Sequence, residues 1–175
     1  MSTTAEQTLA QWQALYEKLT ARSDAPGLAR PEQAANRTGL AVMQALIAGE
    51  IPVPPIARTL DFTLAEVAEG RAVFLGRPHF AHYNPLGMVH GGWIATLLDS
   101  SVGCAVHTTL PVNKRYTTLE LKVNYVKAVS DKLPMLRAVG QVVHRGARVA
   151  TAEGRLEGPD GTLFAHATTT CLIFD

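Results

Sequence analysis

Between Pro78 and Asn113 the chain runs for 36 positions without a lysine, arginine or glutamate, and Asp99 is the one formal charge in the stretch. Segments that face water are seldom so bare, so this one is expected in the core or in a subunit interface. Its middle has helical period. Ile94, Leu97, Leu98, Val102, Ala105 and Val106 fall on one apolar stripe, and Gly92, Thr96, Asp99 and Gly103 fall on a second stripe that is small and polar. An apolar helix of this kind has to be enclosed by the rest of the chain.

The flanking sequence supplies the material to enclose it. Residues 56–66 and 71–77 read as short strands around a turn at Gly70, and 116–129 alternates with Leu119, Leu121, Val123 and Tyr125 on one face and Thr118, Glu120, Lys122 and Asn124 on the other. Further strands are expected over 134–144, 147–157 and 162–174. Turn signals at 130–132, 145–146 and 159–161 predict a meander of neighbours. Upstream, Leu9, Trp12, Leu15, Tyr16 and Leu19 predict a helix over 8–22, broken by Ser23, Pro26 and Gly27. A second helix is expected over 31–48, stopped by Gly49 ahead of Pro52, Pro54 and Pro55. The fold class is therefore α+β: an antiparallel sheet wrapped around a central helix, with an N-terminal helical extension at 1–55 and the main domain at 56–175.

A chain of 175 residues, 47% hydrophobic and 18% charged, fits one globular domain and excludes disorder. There is no leader-like start and no apolar run of the roughly 20 residues a membrane span needs, so a cytoplasmic protein without membrane partners is expected. The net charge of +1 argues against nucleic acid. Cys104 and Cys171 lie among apolar neighbours without the spacing of zinc or redox motifs and read as core residues. Charge is unevenly placed: residues 114–148 hold eight basic and two acidic side chains. That segment fits either attraction of a phosphorylated small molecule or solvated strand faces. No G-x-S-x-G elbow, Walker loop or dinucleotide fingerprint is present.

The chemistry-bearing pattern is Asn84-x2-Gly87-x2-His90-Gly91-Gly92-x6-Asp99. A Gly-Gly pair opening a helix leaves N–H groups without intrahelical partners and lets a ligand approach closely, where the helix dipole favours negative charge. Asp99 lies nine residues beyond His90, about 13 Å along the axis and too far in to be a cap. A lone carboxylate there is costly unless paired, hydrogen-bonded or used. His79 and His82, at i and i+3, raise a metal site with Asp99 as an alternative, but no compact ligand cluster accompanies them and no metal is expected.

This pattern resembles that of the hotdog-fold acyl-CoA thioesterases of the phenylacetate-degradation (PaaI-like) family, and the element order over 56–174 resembles theirs too. The resemblance implies hydrolysis of an acyl-CoA or aryl-CoA thioester without a cofactor, coenzyme A being part of the substrate. It makes Asp99 either a nucleophile or a general base. Gly91 first, with Gly92, becomes an oxyanion hole, and Asn84 positions the thioester or the water. His90 either fixes the loop or faces the thioester, and Thr118 stands where related enzymes carry a hydroxyl that helps hold the water. Lys127, Lys132, Arg145 and Arg148 are candidates for the coenzyme A phosphates. Phe80, Tyr83, Leu86, Met88 and Trp93 are candidates either for an apolar slot or for core packing. Two other readings are a dehydratase of the same fold and a non-catalytic acyl-CoA binding module.

A homo-oligomer, a tetramer built from dimers, is expected because the small and apolar surface of the charge-free helix exceeds what one thin sheet covers. The resemblance adds sheets joined edge to edge and sites built from two subunits, with Asn84 of one near Asp99 of the other.

Overall fold

The computed structural model describes residues 3–21 and 25–175. Four N-terminal helices, α1 (Thr3–Thr20), α2 (Pro31–Ala34), α3 (Gly39–Ala48) and α4 (Pro55–Thr59), precede β1 (Phe62–Ala68) and β2 (Arg71–Gly76). The long helix α5 (Gly91–Thr108) follows, and then β3 (Arg115–Tyr125), β4 (Leu136–Arg145), β5 (Val149–Glu157) and β6 (Leu163–Phe174). All pairings are antiparallel in one six-stranded sheet of order β1-β2-β4-β5-β6-β3.

The expected apolar stripe of α5 is the centre of the core: Ile94, Leu97, Leu98, Val102, Ala105 and Val106 are all buried. The sheet receives the helix along a lane of small residues. Ala72, Gly140, Gly154 and Ala167 stand directly opposite one another across β2, β4, β5 and β6. A Cβ on Gly140 would lie 2.1 Å from the Ser101 carbonyl oxygen, and one on Gly154 would lie 2.8 Å from Val102 Cγ1. The helix backbone therefore rests on the sheet backbone, which no larger side chain permits.

Four expectations are corrected. The strands do not form a four-strand meander: β3 pairs with β6, and β4 pairs with β2. The link at 126–135 crosses from one side of the sheet to the other, tied down where the buried Val129 accepts the Val89 N–H at 3.0 Å. The single helix over 31–48 is two helices, because Asn36 turns left-handed (φ 60) and the Thr38 hydroxyl accepts the Ala41 N–H to start α3 afresh. Residues 56–59 are helical rather than extended, since Pro55 starts the helix with its φ already set. Finally, α1 begins five residues earlier than expected; its expected end at Arg22 and the break at Ser23 lie outside the described residues. Gly49 does end α3 in the left-handed conformation (φ 82).

The N-terminal helices straddle the sheet edge at β1. On the outer side Tyr16 and Leu19 of α1 pack on Ala65, Leu75 and Met135. On the inner side α3 lies against α5 so closely that a Cβ on Gly39 would sit 1.8 Å from the His107 carbonyl oxygen, while the Gly39 N–H donates to Leu110 O at 2.9 Å.

A polar cluster fastens α1. The Tyr16 hydroxyl donates to Asp61, Arg77 reaches the same carboxylate with Nε at 3.0 Å and a second nitrogen at 3.4 Å, and the His79 ring bonds it too. The Arg77 guanidinium lies over the Tyr16 ring, 4.5 Å from its centroid. Burial pushes the Asp61 carboxyl up, but the hydrogen bonds from Tyr16, Arg77 and His79 outweigh it and hold the group below its ordinary 3.8. A pKa depressed by folding stabilises above the unfolded value, and the stabilisation is lost as pH falls through the folded one. Wild type should therefore lose stability below about pH 4 more steeply than Asp61→Asn does, as read from denaturant midpoints across an acid series.

Candidate active site

Asp99 projects half-buried from the middle of α5, and its Oδ1 accepts the Thr118 hydroxyl at 3.1 Å. That contact depends on a β-bulge. The register of β3 slips between Thr118, opposite Cys171, and Glu120, opposite Thr170. The extra residue reverses the alternation, so that Tyr116 and Thr118 turn towards α5 while Leu119 is turned out and 58% exposed. Simple alternation put Thr118 outward and Leu119 inward; the bulge corrects both.

Asp99 and Thr118 open into a cavity of about 330 Å³. Both edge strands reach it, through Phe62 and Leu64 of β1 and Tyr116 and Thr118 of β3. Its floor is neutral. Burial, helped by the nearby Asp99 charge, pushes the Cys104 thiol up to about 12, and burial raises the Tyr116 phenol well above its usual value. Burial also lowers His107, keeping it uncharged at neutral pH. Asp99 is the one formally charged residue on the lining.

The rest of the motif sits at the N-terminal end of α5, about 12 Å from Asp99 along the axis. Here His90 is the N-cap, its Nδ1 accepting the Gly92 N–H at 2.8 Å. This separates the two glycines: the Gly92 donor is used within the turn, whereas the Gly91 N–H has no protein partner among the described residues. The Tyr125 hydroxyl covers Gly91, donating to its carbonyl oxygen at 3.0 Å. Asn84 organises the preceding loop, its Oδ1 accepting the N–H groups of Leu86 and Met88 at 2.9 and 3.3 Å. Lys127 shares a shallow hollow with Gly91, and its Nζ lies 5.7 Å from the Phe164 ring centroid.

The candidate phosphate ligands are thus divided. Lys127 and the exposed Lys132 follow β3 on the connection that passes the N-terminal end of α5, whereas Arg145 and Arg148 flank the β4–β5 turn, with Arg145 beside Thr108 and Thr109 at the far end of the helix. The proposed slot is not formed within the chain: Phe80, Leu86 and Met88 are 76%, 80% and 40% exposed, while Trp93 is buried with its indole N–H on Leu60 O at 2.8 Å. Tyr83 instead donates to Asp131 at 2.7 Å. Within the single chain the enclosed space lined largely by apolar side chains is the cavity at Asp99, whose walls come from segments far apart in sequence. His79, His82 and Asp99 do not converge; His79 bonds Asp61, His82 stacks on Trp93 at 5.4 Å and Asp99 bonds Thr118. Among the described residues no helix is long and apolar enough to cross a membrane.

One antiparallel sheet wrapped round a central helix is the hotdog fold, and here a single carboxylate of that helix turns into a neutral cavity. The comparisons agree. A family model described as the thioesterase superfamily matches residues 86–165. A crystal structure from Ralstonia eutropha JMP134, of a candidate thioesterase described as a phenylacetic acid degradation-related protein, is 30% identical, covering 74% of this chain and 98% of that one with a TM-score of 0.68. A variant of the phenylacetic acid degradation protein PaaI from Thermus thermophilus is 25% identical over 67% of this chain and 97% of that one, with a TM-score of 0.60. A candidate esterase of Halobacterium salinarum is 37% identical over 84 residues, 47% of this chain; the match spans about half of that relative's length, 54%. The chain belongs to the thioesterase superfamily. Within it, the likeness is to the PaaI-like proteins.

Proposed function

We propose that the protein is an acyl-CoA thioesterase, releasing a free acid and coenzyme A, with Asp99 as its reacting carboxylate. The observation that carries this reading is the isolation of Asp99: one charge in a neutral cavity, one oxygen held by Thr118, and no protein donor on the other among the described residues. A carboxylate so placed can attack the thioester carbonyl carbon itself or take a proton from a water that attacks it. In either route the carbonyl oxygen becomes an oxyanion, the C–S bond breaks and the thiolate leaves to be protonated; after direct attack, water then hydrolyses the acyl-Asp99 anhydride to free acid and carboxylate.

The oxyanion requires donors, and the Gly91 N–H at the positive end of α5 is the free one. Asn84, whose amide nitrogen points away from the bonds that hold its loop, positions the carbonyl or the water. His90 acts through the turn it caps. Lys127, beside Gly91, meets the coenzyme A phosphates.

Within one chain Gly91 is about 12 Å from Asp99, too far for one reacting carbonyl to touch both. The site is completed by a second copy, with Asn84 and Gly91 of one subunit facing Asp99 and Thr118 of its partner. Strand β3 supports this: it is a sheet edge, with Leu119, Tyr125 and Val126 exposed along and just beyond it. Such a dimer, and a dimer of dimers built from it, accounts for the apolar surface. Asn84→Ala and Asp99→Asn should each be nearly inactive alone. Co-refolded as a mixture they should regain about a quarter of wild-type thiol release, since half the dimers are mixed and each mixed dimer carries one intact site. No regained activity would place both residues in a single-chain site.

A further inference from the structure

The cavity at Asp99 is built only partly by the hotdog core. Its outer wall comes from residues that precede β1: Leu19 of α1, Met43, Leu46 and Ile47 of α3, then Val53 and Ile56. These residues close the gap that the wrapped sheet leaves between its two edge strands. The wall is fixed in place, because α3 meets the α5 backbone at Gly39 and α1 is fastened through Tyr16 to Asp61 and Arg77.

Most of the lining is apolar; its polar members besides Asp99 and Thr118 are Thr63, Ser100, His107 and Tyr116, none of them charged at neutral pH, so acyl groups with charged ends are excluded. A second, polar hollow adjoins it, sharing Leu19, Val53, Ala57, Phe62 and Thr63, and is lined by Tyr16, Asp61 and Arg77. Asp99 and Thr118 line only the first. An acyl chain running inward from Asp99 is therefore confined by the α3 wall of Met43 and Leu46 and, beyond the shared residues, by the Tyr16, Asp61 and Arg77 cluster. Passing it would require desolvating a charged pair. At interior packing density a methylene takes about 27 Å³, so the cavity of about 330 Å³ accommodates an aliphatic chain of about eight to twelve carbons.

Resting on the thioesterase reading of Asp99, we infer that the N-terminal helices form the acyl-measuring wall of the site, with Met43 and Leu46 setting the length of a saturated aliphatic acyl group of medium size. The test compares wild type, Met43→Ala and Leu46→Phe on butyryl- to palmitoyl-CoA and on phenylacetyl-CoA. The readout is the ratio of kcat/KM between substrates, in which the folded fraction cancels. In parallel, binding of non-hydrolysable thioether analogues of the same chain lengths is titrated.

Wild type should peak at about eight to twelve carbons. Leu46→Phe should lower the decanoyl-to-butyryl ratio at least about tenfold, the scale of a few methylenes in an apolar pocket. Met43→Ala should move the optimum upward by about two carbons. Profiles that stay parallel in both variants, or a preference for phenylacetyl-CoA without chain-length dependence, would overturn the inference and leave the thioesterase reading standing. Analogue binding with the expected chain-length shifts, but no hydrolysis, would uphold the wall and overturn the thioesterase reading.

Discussion

Replacing Asp99 with asparagine should leave a folded protein whose kcat is lower by at least about 10²-fold, the scale of losing a general base, with more lost if the carboxylate is the nucleophile. The substitution keeps shape and volume, and the new amide oxygen can still accept the Thr118 hydroxyl that Asp99 accepts at 3.1 Å. What disappears is the charge. No cation or second carboxylate lines the cavity, so no neighbouring charge replaces the one removed. The thermal midpoint should stay close to wild type, since a half-buried carboxylate with one hydroxyl partner is replaced by a neutral group that needs less solvation. If Asp99 were an anchor only, the result would reverse: a shifted midpoint with wild-type kcat per folded molecule.

Gly140→Ala should have a large effect on stability. The added Cβ would fall 2.1 Å from Ser101 O and 2.7 Å from the Val102 N, both main-chain atoms in the centre of α5 that no rotamer change can move. Either the helix lifts off the sheet or β4 bends, and Gly154, directly opposite in β5, transmits the strain because it too lies under the helix. Overpacking of this kind costs about 3 kcal/mol, which lowers the melting midpoint by about 6–12 °C for a chain of this size. Calorimetry of the variant reads this directly. An unchanged midpoint would mean that α5 does not rest on the sheet at Ser101.

The parts legible from sequence are those set by local period and punctuation. The stripe from Ile94 to Val106 announces a buried helix because helical spacing survives in any surroundings, and Gly49 and Gly70 mark their turns because each takes a positive φ. Asp99 stood out through the absence of other charge around it. The parts not legible depend on long-range pairing. Nothing in residues 116–129 says that β3 joins β6 rather than β4, and nothing local signals the extra residue at Leu119 that turns Thr118 to Asp99. The cavity wall is hidden for the same reason, since Leu19, Met43 and Phe74 lie far apart in sequence and meet only in space. The division of Gly91 from Gly92 follows from a single ring nitrogen of His90, a rotamer that sequence does not specify.

The most direct test of the account is a thiol-release time course on a medium-chain acyl-CoA, run with purified wild type and Asp99→Asn at equal folded concentration. Wild type should release free coenzyme A over multiple turnovers, and the variant should do so at a rate lower by at least about 10²-fold. Equal rates in the two proteins, or no thiol released by wild type from any acyl-CoA offered, would contradict it.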